Sequence, residues 1–85
     1  MKLKSNFLTH EIDGEQVLVD IENKDFSGIV RNNQTAAFVV DCLSQDTDID
    51  SIVEEMYNTF DAPKEVIKKD VEEIIAKLDS IGALE

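Results

Sequence analysis

The side chains that could perform chemistry in this chain are few and scattered. There is one histidine, His10, and one cysteine, Cys42. A catalytic cysteine needs an adjacent base, and a zinc site needs several His or Cys ligands. His10 falls in a predicted strand and Cys42 in a predicted apolar helix, which favours a surface histidine and a buried thiol. We therefore predict no catalytic residue, no metal site and no cofactor.

Three alternating aspartates, Asp46, Asp48 and Asp50, resemble the start of a calcium-binding loop. The stretch lacks the glycine and the distal glutamate that an EF-hand loop requires. Thr47, followed three residues later by Asp50, resembles a capping box at the start of a helix. Helix capping is therefore the simpler interpretation of these aspartates.

Ser51 raises an alternative function. Together with Asp50 and Ile52 it resembles the Asp-Ser-Leu site at which acyl or peptidyl carrier proteins receive phosphopantetheine. Serine is also common in the first turn of a helix without any modification. The carriers are helical bundles, whereas this chain begins with a hairpin signal, so a carrier-like protein modified at Ser51 is kept as the alternative.

The elements that would position these residues follow from turn signals and periodicity. Asp13-Gly14 supplies a tight turn between two β-favouring runs, and Asn33, Pro63 and Gly82 are helix start and stop signals. Strands are predicted at about 7–12, 16–21 and 26–31. Helices are predicted at about 34–43, 48–60 and 62–81. Strands followed by helices predict an α+β fold, with three helices on one face of a three-stranded antiparallel sheet and a single domain over residues 1–85.

Charge and hydropathy exclude other classes of protein. The chain has 85 residues, of which 19 are acidic and 8 basic, for a net charge of −11. Such a charge repels a phosphate backbone, so nucleic acid is not an expected partner. A winged-helix regulator, which would need a basic recognition face, is kept as the second alternative. No apolar run is long enough to span a membrane, and no secretory signal follows the basic start, so we expect a cytoplasmic protein without a membrane partner.

Several short motifs, in order, are similar to the PqqD-like family, the small winged-helix-like domains also called RiPP recognition elements. The motifs cover nearly the whole chain: Gly14 with Val17-Leu18-Val19-Asp20, Asn33-x-Thr35-Ala36-Ala37, Thr47, Phe60-Asp61, and Leu78-x-x-Ile81-Gly82-Ala83-Leu84.

The resemblance implies a non-catalytic adaptor that binds the leader of a ribosomally made precursor peptide and presents it to a modifying enzyme such as a radical S-adenosylmethionine (SAM) protein, as in PQQ biosynthesis. In such domains the leader adds as a strand to the edge of the third strand and packs on the third helix. The residues expected to bind the peptide are Phe26, Ser27, Gly28, Ile29, Val30 and Arg31 on the strand, and Lys64, Lys68, Val71 and Ile75 on the helix.

Overall fold

The computed structural model describes residues 1–22 and 30–85. In this part of the chain the elements are β1 (Phe7–Ile12), β2 (Glu15–Asp20), β3 (Val30–Asn32), α1 (Gln34–Cys42), α2 (Ile49–Thr59) and α3 (Lys64–Ser80). The chain is thus an α+β protein in which the described strands precede the helices. No helix in these ranges has the length and apolar character needed to cross a bilayer.

The β1–β2 hairpin forms where the sequence predicts it. Asp13 and Gly14 both have positive φ, 53° and 80°, which is the backbone geometry of a two-residue type I′ turn. The turn sets an antiparallel register that runs from Phe7 opposite Asp20 to Ile12 opposite Glu15.

The expectation of a full three-stranded sheet, with a third strand over 26–31, is wrong. For most of its length the sheet is the two-stranded β1–β2 hairpin. Among the described residues the third strand comprises Val30–Asn32, which pair antiparallel with Leu18, Val17 and Gln16 of β2. Residues 26–29 of the predicted strand lie outside the described residues. Within the described residues the strand is defined by its pairing with β2, because β-propensity reflects packing context more than backbone preference.

Side-chain caps determine where the first two helices begin. Asn33 caps α1 by accepting a hydrogen bond from the backbone N–H of Ala36 at 2.8 Å. The cap of α2 is Asp48 rather than Thr47, since its carboxylate accepts from the N–H of Ser51 at 2.7 Å. Asp48 is therefore a capping residue and does not belong to a calcium loop.

The third helix ends in a Schellman motif at Gly82. The Gly82 N–H donates to the carbonyl of Asp79, the Ala83 N–H donates to that of Leu78, and Gly82 adopts φ of 72°. Ala83 is thereby turned inward and is fully buried. The sequence prediction of a left-handed stop at Gly82 is confirmed.

The hydrophobic core lies between the hairpin and the helices. Leu18 of β2 and Phe7 of β1 enter from the sheet, and Phe38 of α1 meets Phe60 edge to face with ring centroids 5.3 Å apart. The buried members of this cluster are Phe7, Leu18, Val39, Val40, Leu43, Ile52, Val53, Met56, Ile67, Val71, Leu78 and Ala83. The core thus holds all three helices in a defined order around the sheet.

Candidate functional site

The edge of β3 is one wall of the candidate site. In the described sheet the strand order is β1–β2–β3, so β3 pairs with β2 on one side and with no described strand on the other. Because backbone N–H and C=O groups alternate in direction along a strand, part of β3 presents its hydrogen-bonding groups to this open side. An extended peptide could pair there.

The second part of the candidate site is a cavity of about 200 Å³ between α3 and the start of α1. Asn33 directly follows β3 in the chain and Thr35 lies in the first turn of α1, so this cavity adjoins the end of the strand. The α3 residues that line it are Asp70, Glu73, Ile74 and Lys77. We call this space, together with the open edge of β3, the β3–α3 groove.

Helical geometry divides α3 into three sides. Each residue advances about 100° around the axis. Ile67, Val71 and Leu78 therefore form one stripe, and all three are buried. The residues that line the groove fall on one flank of that stripe. Lys64, Lys68 and Ile75 fall on the other flank.

The lysine flank faces α2. The Lys64 Nζ lies 2.9 Å from the Glu54 carboxylate and 5.5 Å from the centre of the Tyr57 ring, and both partners belong to α2. The hydrogen bond with Glu54 is the main cause that raises the pKa of Lys64 above 10.5. Lys68 is exposed on the same flank, and Ile75 is half-buried against the core.

Val71, also expected to contact a peptide, is completely buried. Its side chain belongs to the core stripe and cannot contact a ligand on the surface without local unfolding. Of the expected strand residues, Phe26, Ser27, Gly28 and Ile29 lie outside the described residues. Val30 and Arg31 are in β3, where their backbone forms part of the open edge.

Four α3 residues that line the cavity are not among the site residues expected from the sequence: Asp70, Glu73, Ile74 and Lys77. The last three follow Asp70 by three, four and seven residues, a spacing that places all four on one side of a helix. This pattern can be read from the sequence. The charged members did not stand out because an acidic stripe in an acidic chain is the usual pattern of a solvated helix face.

A second cavity, of about 1020 Å³, lies between the hairpin and α1, with Glu11, Gly14 and Ala37 among its lining residues. The Gln16 amide donates to the Asp41 carboxylate at 3.0 Å across it. This bond ties β2 to α1 and so helps to fix the position of the sheet relative to the helices.

The residues considered for catalysis are not assembled into a reactive site. The Cys42 thiol is half-buried and donates a hydrogen bond to Glu55 Oε2 at 3.1 Å. Burial, and then the Glu55 carboxylate, raise the pKa of Cys42 to about 12, so the thiol is protonated at neutral pH. His10 and Ser51 are exposed. Among the described residues no group of three or more His, Cys, Asp or Glu side chains is arranged to hold a metal ion.

Comparison with known proteins bears out the family resemblance. A family model described as "Coenzyme PQQ synthesis protein D (PqqD)" matches residues 15–84. No curated protein matches the chain significantly in sequence.

Two solved structures are similar to the chain in fold. One is the structure of TbiB1 in complex with the TbiA(beta) leader peptide, which is 16% identical in sequence and has a TM-score of 0.82. The match covers 100% of this chain and 95% of that chain. The other, of lasso peptide synthetase B1 complexed with the leader peptide, is 17% identical, has a TM-score of 0.79 and is covered over 96% and 93% respectively. At sequence identities this low, the structural similarity shows a shared fold and nothing beyond it.

Proposed function

Since this chain belongs to the PqqD family, we propose that it is a non-catalytic adaptor that binds the leader of a ribosomally made precursor peptide. It presents this peptide to a separate modifying enzyme. We propose that this enzyme is a radical SAM protein, as the family resemblance implies. We also propose that the peptide is bound and modified in the cytoplasm, where ribosomal peptides are made.

The observation that carries the proposal is the open edge of β3 beside α3. A leader that adds as a strand gains backbone hydrogen bonds from β3 and side-chain contacts from α3, which is the usual division between affinity and specificity in strand addition. Both structural neighbours were solved as complexes with leader peptides. We propose that the strand part of the site is the expected segment 26–31, extended to Asn32.

A non-catalytic role agrees with the state of the reactive side chains. The protonated, hydrogen-bonded thiol of Cys42 is a poor nucleophile. Ser51 uses its backbone N–H to complete the cap of α2, which accounts for its position without a prosthetic group. Incubation with a phosphopantetheinyl transferase and coenzyme A should therefore leave the protein mass unchanged.

The first test identifies a ligand and maps where it binds. An mRNA-displayed library of random 20-residue peptides is selected on the immobilised protein, and the selected peptide is titrated into 15N-labelled protein. We expect amide shifts concentrated in Val30–Asn32, Asn33–Thr35 and the groove flank of α3. The absence of any enriched peptide, or shifts confined to the far side of the hairpin, would count against the adaptor function.

The second test uses a matched pair of prolines in β3. Adjacent residues point their N–H groups to opposite sides of a strand, so Val30→Pro and Arg31→Pro remove donors from different edges. One variant loses a bond to β2 and is destabilised. The other keeps its unfolding midpoint but should bind the selected peptide at least about tenfold more weakly, because one or two backbone hydrogen bonds and the edge geometry are lost. If the stable variant binds like wild type, the peptide does not pair with β3.

A further inference from the structure

The groove flank of α3 carries charges that are not paired with any side chain of the described residues. Asp70, Glu73 and Lys77 are exposed and line the groove. Within the described residues, no hydrogen bond or ion pair engages their side chains. A ligand can therefore contact them without first breaking an internal interaction.

The two flanks of α3 differ in what charge they offer. On the α2 flank the Lys64 ammonium is already neutralised by Glu54 at 2.9 Å. On the groove flank two carboxylates stand one turn apart, and Lys77 lies one turn further toward the C-terminus. The field at the upstream half of the groove is thus negative, and an acidic side chain there would be repelled.

Apolar side chains extend the groove flank at both ends. Val66 lies one turn before Asp70 on the same side of α3 and is 50% exposed. Ile81 lies one turn after Lys77, at the C-cap, and is 41% exposed. Half-buried Ile74 lies between them. From the N-terminal to the C-terminal end of α3, the exposed side chains of this flank are thus apolar, acidic, basic and again apolar.

Resting on the function proposed above, we infer that the groove selects leaders that carry a lysine or arginine two positions from an apolar residue. The apolar side chain packs on Val66, and the basic side chain pairs with the Asp70 carboxylate, one turn from Glu73. In an extended peptide, every second side chain points the same way at intervals of about 6.6–6.8 Å. The rise from Val66 to Asp70 along the helix is about 6 Å, so these two subsites match adjacent same-side positions of a strand.

The library selection also tests this inference. The enriched peptides should share one position at which Lys or Arg predominates, two residues from an apolar position. Selection on the Asp70→Lys/Glu73→Lys variant should abolish or invert that preference. For the wild-type consensus peptide, the variant should bind about three- to thirtyfold more weakly, as expected when two exposed ion pairs become like-charge contacts. The difference should shrink at high salt.

Two control variants separate a local contact from a change in net charge. Glu65→Lys/Glu72→Lys alters two exposed acidic residues of α3 that lie away from the groove and changes the net charge by the same amount. Lys64→Glu/Lys68→Glu reverses the α2 flank. Both should bind the consensus peptide within about twofold of wild type, since exposed charges at a distance are screened. Circular dichroism and an unfolding curve check that every variant is folded.

The outcomes distinguish the specificity from the function. Enriched peptides without a basic position, or an equal loss of binding in the Glu65/Glu72 control, would overturn the inferred specificity while leaving the adaptor function in place. A wild-type protein that enriches no peptide would overturn both.

Discussion

The two flanks of α3 have similar residue types but different surroundings in the fold. Each flank places charged residues and at least one isoleucine beside the same buried stripe. On the α2 flank Lys64 bonds to Glu54 and Ile75 packs on the core, while Lys68 is exposed. The groove flank leaves Asp70, Glu73 and Lys77 available beside a cavity. A charged helix face is therefore informative about function only once its neighbours are known.

The largest expected effect is a difference in the free energy of unfolding between two single substitutions of α3 valines by aspartate. Val71→Asp would bury a carboxylate with no partner and should cost about 3–5 kcal/mol, a large part of a small domain's stability. Val66→Asp changes a half-exposed residue at the end of the groove flank and should stay within about 0.5 kcal/mol. Urea unfolding followed by circular dichroism measures both. Equal losses of stability would mean that Val71 does not face the core and Val66 does not face solvent.

An intermediate effect is expected at Asn33, which both caps α1 and lines the groove. Asn33→Ala removes the acceptor for the Ala36 N–H and should cost about 0.5–2 kcal/mol. Asn33→Asp is the matched control, because aspartate caps as well as asparagine and adds a negative charge beside Asp70 and Glu73. It should keep the unfolding free energy and tighten binding of a basic peptide. If it weakens that binding, the negative field of the groove is not what selects the ligand.

The smallest effect concerns the ion pair on the α2 flank. The pKa of Lys64 is raised above 10.5 in the folded protein, chiefly by its hydrogen bond to Glu54. The stabilisation is therefore fully present below pH 10.5 and is lost as the pH rises through the folded pKa. Urea midpoints measured from pH 9 to 12 should fall slightly more for wild type than for Glu54→Gln, which lacks the partner carboxylate. Because the pair is exposed, salt should reduce the difference.

Local signals in the sequence predicted local structure well. The Asp13-Gly14 turn, the Asn33 cap and the Gly82 stop are all present, because each depends on backbone conformations that few residues adopt. The cap of α2 was assigned to Thr47 instead of Asp48. Both residue types can cap, and only the direction of entry into the helix distinguishes them.

The sheet and the site were less predictable. A strand over 26–31 fits the residue types, whereas the strand of the described residues is Val30–Asn32, which is defined by its pairing with β2. On α3, Lys64 and Lys68 drew attention as rare basic residues in an acidic chain. Their rarity carried no information about which way they face.

What the sequence by itself determined is the β1–β2 hairpin with its turn, the three helices, the Asn33 cap, the Gly82 stop and the family to which the chain belongs. These follow from short-range backbone preferences, from helical periodicity and from an ordered set of motifs. Only the tertiary structure decided which flank of α3 contacts α2 and which flank lines the cavity next to the end of β3. That choice depends on where α1 and α2 lie around the helix, and residues distant in sequence bring them there.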